Sequence, residues 1–99
     1  MKWEEIIHIK TYDSQMKKQA FETALKLDLD ERDQGPECIE IWDGNNLDTE
    51  ICIMVIWDNE LEIPIRSWVG ISLTEVFSQY GWVSHSVWAN RKTLLRKPN

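Results

Sequence analysis

The sequence has no long apolar run and no recognisable leader. Its longest uninterrupted apolar stretch covers residues 51–57, far short of the roughly 20 residues that cross a bilayer. The N-terminal segment holds no apolar core of the length that a secretion signal needs. These absences predict a cytoplasmic chain that does not enter a membrane. Its 99 residues predict one domain.

Cysteine is scarce and widely spaced. Cys38 and Cys52 are the only two, and the sequence has neither a Cys-x-x-Cys motif nor a cysteine–histidine cluster. Structural zinc sites depend on such clusters, so no metal is predicted. In a reducing compartment both thiols are expected to act as small hydrophobic side chains in strands. The acidic segment 28–36 lacks the ligand pattern of a calcium-binding loop and is interpreted as a solvated loop.

Basic residues are few except at the C-terminus. The formal net charge is −6, with 11 Lys and Arg against 17 Asp and Glu. All 17 acidic groups lie in residues 1–90, whereas residues 91–99 hold four basic groups and no acidic ones. An acidic chain is a poor partner for nucleic acid. We therefore predict a domain over 1–90 and a basic tail over 91–99. The tail lies either free in solvent or on an acidic surface of this or a second subunit.

Two periodicities alternate along the chain. Period-two patterns predict four strands, at residues 3–12, 38–42, 50–58 and 81–88. Helical spacing predicts one helix from Asp13 or Ser14 to about residue 27, and another from Ser67 to Tyr80. The order β-α-β-β-α-β predicts a ferredoxin-like α+β fold, with four antiparallel strands and two helices on one face.

Local signals add three expectations. The hairpin turn over 43–48 contains residues that tolerate positive φ. Gly81 is predicted to follow the second helix in the left-handed conformation that favours glycine. The strand over 50–58 is apolar on both sides, so it is predicted to be central in the sheet. Because the helices leave one face of the sheet open, a second copy of the chain is expected to cover that face.

Three motifs resemble those of a known superfamily. They are Trp57-Asp58 at the end of the third strand, Ser-x-x-Gly over 67–70, and Val-x-His-x-Val-Trp over 83–88. Together with the βαββαβ order, they resemble the dimeric α+β barrel superfamily, and within it the antibiotic biosynthesis monooxygenase-like proteins. The resemblance implies a homodimer whose sheets pack face to face, with a cavity between sheet and helices. Some members oxidise polyketide phenols with oxygen and no cofactor.

Other members of that group degrade haem. These relatives use an asparagine on the first strand, a tryptophan on the third and a histidine on the second helix. Of these, only the tryptophan has a counterpart here, at Trp57. The resemblance therefore does not extend to haem degradation, and no cofactor is predicted.

His85 and His8 are the candidate catalytic residues, because imidazole exchanges protons near neutral pH and a phenol needs a base to become electron-rich. Strand alternation puts His85 on the same side as Val83 and Val87. If those valines face the helices, His85 is a core residue bonded to a backbone carbonyl or a hydroxyl. His8 then lies on the opposite face, at the dimer interface or its rim. Packing is the favoured role of His85, and catalysis stays open.

Six tryptophans suit either interface rims or a pocket for a planar ligand. The candidate pocket residues are Trp57, Tyr80, Ser84, Ser86 and Trp88. Ser67 is interpreted as a helix cap because no nucleophile motif surrounds it. The segment after the third strand is interpreted as a solvated loop with Arg66 as an available ion-pair partner. Its carboxylates are Asp58, Glu60 and Glu62.

The functional hypothesis is a dimeric protein that binds a small aromatic molecule and resembles cofactor-independent monooxygenases. The alternative is a non-enzymatic dimeric ligand-binding or accessory protein. The sequence leaves open whether the protein is an enzyme.

Overall fold

In the part of the chain that the structure describes, six elements follow one another in the predicted β-α-β-β-α-β order. The computed structural model describes residues 2–27, 35–58 and 67–98. The elements are β1 (Lys2–Thr11), α1 (Ser14–Leu25), β2 (Cys38–Asp43), β3 (Glu50–Asp58), α2 (Trp68–Phe77) and β4 (Gly81–Ala89). This is the ferredoxin-like α+β fold expected from the sequence. The interpretations of segment 28–34 and of Glu60, Glu62 and Arg66 concern positions outside the described residues.

The four strands form one antiparallel sheet in the order β2-β3-β1-β4. β1 pairs along its length with β3 on one side and with β4 on the other, so Ile7 lies opposite both Ile53 and His85. β3 lies between β2 and β1, which confirms that the strand with apolar residues on both sides is central.

The register divides the strand residues by the parity of their numbers. In β1 and β3 the odd-numbered residues from Trp3 to Thr11 and from Ile51 to Trp57 are buried under the helices. In β2 and β4 the odd-numbered Ile39, Val83 and Val87 pack against the same core. We call this side the helix-covered face, and we call the side with the even-numbered residues the open face. The predicted bare second face of the sheet is thus present in the chain.

Apolar residues from both helices and from the two central strands form the core. Its members are Trp3, Ile7, Ile9, Ala20, Ala24, Ile51, Ile53, Val55, Trp57, Val69, Leu73 and Phe77. Burying one large aliphatic or aromatic side chain contributes about 1.5–3 kcal/mol. The core therefore attaches α2 firmly to the sheet and fixes the first residues of that helix above β1.

Both helices begin at the capping residues that the sequence indicates. The Asp13 carboxylate accepts a hydrogen bond from the Met16 N–H at 2.8 Å, and the Ser67 hydroxyl accepts one from the Gly70 N–H at 2.9 Å. Each bond satisfies an N–H that the first helical turn leaves without a partner. Neither helix in the described part of the chain is long and apolar enough to span a membrane.

The prediction for Gly81 is wrong in its reason. No glycine in residues 2–27, 35–58 and 67–98 has a positive φ, and α2 ends at Phe77, before Gly81 is reached. Gly81 instead opens β4 opposite Thr11. A Cβ at this position would overlap the backbone of Lys10 and Thr11, so close approach of two strands requires glycine here. The prediction that the hairpin turn contains a residue with positive φ is confirmed, because Asn46 has a φ of 61°.

Candidate functional site

A glutamate lies buried in the middle of the helix-covered face. Glu5 occupies β1 between Trp3 and Ile7, and none of its side chain is exposed to solvent. Removing a carboxylate from water costs several kcal/mol unless its oxygens find other partners. The neighbours of Glu5 must therefore supply hydrogen bonds.

Both oxygens of Glu5 have two partners. Oε1 accepts from the Ser67 backbone N–H at 3.0 Å and lies 2.9 Å from Nε2 of His85. Oε2 accepts from Nε1 of Trp57 at 2.9 Å and from the Ser67 hydroxyl. We call Glu5, Trp57, Ser67 and His85 the Glu5 cluster. Its geometry leaves the carboxylate little freedom to rotate.

Sheet register and one helix start bring the cluster together. Glu5 lies opposite Val55 on β3 and Val87 on β4. Trp57 and His85 are each two residues from those partners and on the same face, the diagonal positions across which long side chains meet. Ser67 is the N-cap of α2, and its backbone N–H and its hydroxyl both donate to Glu5. Three separate parts of the sequence therefore converge on one carboxylate.

Gly70 lets the helix approach the cluster. A Cβ on Gly70 would lie 2.5 Å from Oε1 of Glu5 and 2.6 Å from both Cε1 and Nε2 of His85. Any larger residue would force either α2 or these two buried side chains to shift. The Ser-x-x-Gly motif thus has two physical functions: serine binds the carboxylate and caps the helix, and glycine makes room for both side chains.

His85 is a buried histidine, with 2% of its side chain exposed. The expectation of a backbone carbonyl or hydroxyl as its partner is wrong, because its Nε2 faces the Glu5 carboxylate. Because a carboxylate accepts and does not donate, Nε2 carries the shared hydrogen; in the neutral form of the ring, the lone pair is then on Nδ1. Nδ1 is buried and has no hydrogen-bond partner in the part of the chain that the structure describes. Buried polar atoms are rarely left this way, so this atom is the natural focus for a functional hypothesis.

His8 lies on the other side of the sheet. It is on the open face of β1, opposite Cys52 and Ser84. Its Nε2 lies 3.0 Å from the Glu50 carboxylate, and 38% of its side chain is exposed. The sheet therefore separates His8 from His85, and the two cannot contact one ligand within a single chain.

The predicted pocket residues are divided between three places. Trp57 joins His85 through Glu5 on the helix-covered face. The Tyr80 hydroxyl is hydrogen-bonded to the Thr23 hydroxyl of α1 at 2.5 Å. It belongs neither to the His8–Glu50 pair nor to the His85–Glu5 pair. The remaining three lie on the open face with His8: Ser84, Ser86 and Trp88. The indole N–H of Trp88 donates to the Ser86 hydroxyl at 2.8 Å, which orients the exposed ring.

The described part of the chain forms at least two grooves on the open face. The first has a volume of about 580 Å³ and runs between the strand ends and the tail, beside Lys2, Ile56, Trp88 and Leu94. The second has a volume of about 160 Å³ and lies at the β2–β3 hairpin. It is lined by residues that include His8, Trp42, Leu47, Cys52 and Met54. Neither groove is lined by His85.

The two cysteines are unsuited to nucleophilic work near neutral pH. Burial raises the pKa of the Cys52 thiol, and the Glu50 carboxylate raises it further. Burial also raises the pKa of Cys38, with smaller effects from Glu40 and Glu37. Both residues are therefore thiols rather than thiolates at neutral pH. Within the described ranges, no three His, Cys, Asp or Glu side chains are arranged to hold a metal ion.

Glu5 is the site residue that sequence reasoning leaves without a role. The period-two pattern of β1 places it on the same side as Trp3, Ile7 and Ile9. A carboxylate among apolar residues on the buried face of a central strand is the available signal, because such a group needs partners. Its partners are 52, 62 and 80 positions away in sequence, so no local motif reveals them.

Comparison with known proteins supports the fold. No model of a known protein family matches the sequence, and no curated protein is significantly similar to it. Among solved structures, the chain is similar to a mutant of SnoaB, a cofactor-independent oxygenase from Streptomyces nogalater. The TM-score is 0.60 and the identity 10%, over 96% of this chain and 98% of that chain. This similarity supports the fold that the resemblance to antibiotic biosynthesis monooxygenase-like proteins implies.

Proposed function

We propose that this protein is a homodimer that binds a small phenolic aromatic molecule and oxidises it with O₂ without a cofactor, with His85 as the base. The observation that carries the proposal is Nδ1 of His85, a buried ring nitrogen that has no hydrogen-bond partner among residues 2–27, 35–58 and 67–98, in a histidine whose other nitrogen is held by a buried carboxylate. A nitrogen in this state can accept a proton from a substrate hydroxyl.

The Glu5 cluster has the organisation of an oriented general base. An effective base is held in one tautomer by a third group and points its free nitrogen at the proton to be removed. Glu5 orients the imidazole and stabilises the positive charge that the ring gains on accepting a proton. Trp57 and Ser67 fix Glu5 in turn. In this proposal Glu5 is a positioning residue, and His85 contacts the substrate after the core beside the ring opens, because the ring is buried and lines neither groove.

The chemistry needs a phenolate. Loss of the hydroxyl proton to Nδ1 makes the aromatic ring electron-rich enough to give electrons to O₂. In a polycyclic phenol with a ring CH₂ group, that carbon then loses two hydrogens and gains one oxygen atom. The second oxygen atom leaves as water, so the reaction is balanced without an external reductant. The fold similarity to a cofactor-independent oxygenase supports this reaction class.

The open face supports the dimer. Its centre carries the apolar Ile6, Met54 and Ile56 on the two inner strands, and Trp42, Trp82 and Trp88 are 51%, 64% and 58% exposed around them. A stable interface buries about 1,200–2,000 Å² in total and is enriched in aromatic residues. A second sheet packed against this face meets both requirements, and each protomer then keeps its own Glu5 cluster.

The enzymatic proposal is tested by aerobic incubation with a panel of polycyclic phenols while quinone absorbance is followed. His85→Gln is expected to reduce the rate at least about 100-fold, the usual contribution of a general base. His8→Gln is the matched control, because it removes an imidazole from the same sheet on the opposite face. Unchanged turnover in a folded His85→Gln variant would rule out His85 as the base.

A second candidate function is a non-enzymatic dimer that binds a ligand on the open face. The observation that favours it is the position of the two grooves, both of which lie on that face and away from His85. Calorimetric titration of the same phenols separates the two functions. Equal affinity for wild type and His85→Gln, with no quinone from either, supports the non-enzymatic function.

A further inference from the structure

We infer that the basic tail is an arm that each copy places on the open face of the other, with Leu94 and Leu95 in the groove beside Trp42. This inference rests on the dimer of the proposed function and is independent of the oxidation chemistry. The occupant of the groove is thus a defined segment of a second copy of this chain.

The tail leaves two apolar side chains largely exposed. Leu94 and Leu95 are adjacent, and their exposed fractions are 86% and 76%. Residues 90–98 form no helix or strand. The chain is held to the sheet just before the tail, where the Asn90 N–H donates to the Lys2 carbonyl at 3.0 Å. Two neighbouring leucines in this state need an apolar partner surface.

The groove at the β2–β3 hairpin has the matching character. Most of its lining is apolar, and Trp42 and Leu47, at 51% and 50% exposure, leave their side chains accessible. Its volume of about 160 Å³ equals that of about five liquid waters, room enough for a branched aliphatic side chain. A leucine bound there would cover both exposed residues.

The open face and the tail carry opposite net charge. The even-numbered strand residues carry four carboxylates against two lysines: Glu4, Glu40, Glu50 and Asp58 against Lys2 and Lys10. At the groove rim, the Asp43 side chain is 63% exposed although it pairs with Lys17 at 2.7 Å. The tail supplies four cations, of which Arg96 and Lys97 directly follow the two leucines. Opposite charges thus lie next to complementary apolar surfaces.

The position of the groove favours a second copy over the tail's own sheet. Within one chain, Asn90 to Leu94 border the first groove, near Lys2. The second groove lies near His8, six residues farther along β1, or about 20 Å at the rise of a strand. Two sheets can face each other across a two-fold axis that lies between them and is perpendicular to their strands. In that arrangement, the first groove of one copy lies over the second groove of the other copy. The contact is then reciprocal, as in closed dimers.

Cys52 provides a direct test, because it lines the second groove. The variant Leu95→Cys, made with Cys38→Ser, contains one thiol on the tail and one in the groove. Mild oxidation is expected to give a covalent dimer on a non-reducing gel and a disulfide between Cys52 and position 95 by mass spectrometry. A disulfide within one chain, or oxidation that yields no covalent dimer, would overturn the inference.

The control adds Cys52→Ser to the same chain. Loss of the covalent dimer in this control supports the predicted pairing. If a covalent dimer still forms without Cys52, the disulfide joins the two cysteines at position 95. That result contradicts binding of the tail in the groove.

Sedimentation separates the arm from the dimer itself. Deletion of residues 91–99 is expected to weaken association at least tenfold, and Arg96→Glu to weaken it more than Lys18→Glu, the same reversal on exposed α1. Unchanged association in the truncated chain would overturn the arm while the dimer of the proposed function stands. A wild-type chain that is monomeric at high micromolar concentration would remove both.

Discussion

Two histidine–glutamate pairs of similar geometry lie on opposite sides of the same strand. Glu5 and His85 are 2.9 Å apart with side chains 0% and 2% exposed, whereas Glu50 and His8 are 3.0 Å apart and substantially solvated. Water screens the second pair and offers each partner an alternative hydrogen bond. In the first pair, loss of either member leaves a buried polar group without its partner. The surroundings, rather than the distance, set the energetic weight of each pair.

Glu5→Ala is therefore expected to lower the free energy of unfolding by about 2–4 kcal/mol, because it leaves Trp57, Ser67 and His85 without an acceptor. Glu50→Ala is the matched control and is expected to cost about 0–1 kcal/mol. Urea denaturation followed by circular dichroism measures both. Equal losses in the two variants would contradict the structural importance assigned to the buried pair.

The pH dependence of Cys52 modification follows from its raised pKa. Burial and the Glu50 carboxylate both disfavour the thiolate, so its pKa lies above the ordinary value of about 9.0. In a Cys38→Ser chain, the alkylation rate is expected to rise about tenfold per pH unit through neutral pH and to level off only above that value. The same chain in urea provides the reference, since unfolding removes the burial. A native profile that levels off at a lower pH than the unfolded one would show that the shift has the opposite sign.

The secondary structure elements were predictable because each is specified by residues close in sequence. The alternation in β3 and the caps at Asp13 and Ser67 depend on neighbours within a few positions, and the structure confirms them. The Glu5 cluster was not predictable in the same way. It forms only when register aligns β1 with β3 and β4, and no single-sequence pattern states that register. The left-handed conformation predicted for Gly81 was wrong for a similar reason. Glycine is required there by close contact with Thr11, which lies 70 residues earlier in the sequence.

The start of α2 is the element most sensitive to added volume. Gly70→Ala would gain about 1 kcal/mol of helix propensity, but its Cβ would meet Glu5 and His85. Overpacking costs about 1–3 kcal/mol. The net expectation is a loss of stability of about 0–2 kcal/mol in thermal or urea unfolding, toward the upper end because the added Cβ meets two buried side chains.

Ser72→Ala, on the exposed side of the same helix, is the control for propensity alone. It should change stability by no more than about 0.5 kcal/mol. A stabilised Gly70→Ala variant would show that α2 does not press on the cluster.

The whole molecule presents two surfaces of different composition: a helical layer and a sheet face with exposed tryptophans. Ile56→Asp places a carboxylate in the apolar centre of the open face, where a second sheet would have to bury it. The variant is expected to sediment as a folded monomer, since a desolvated charge without a partner disfavours association by several kcal/mol. Ile71→Asp makes the same substitution at a residue 43% exposed on α2. The proposed dimer requires that this second variant associate like wild type.

The parity of the strands has a consequence for how the protein can change. Successive residues of a strand point to opposite faces of the sheet. The ten-residue β1 therefore carries two alternating sets of side chains, and each set makes different contacts. Side chains on opposite faces of the sheet do not share partners, which is a condition for their substitutions to be close to additive in free energy. Assembly can therefore be altered through even positions while the buried cluster stays intact, and the cluster can be altered through odd positions without changing the surface that a partner meets. One sheet thus supports two properties that can be engineered independently.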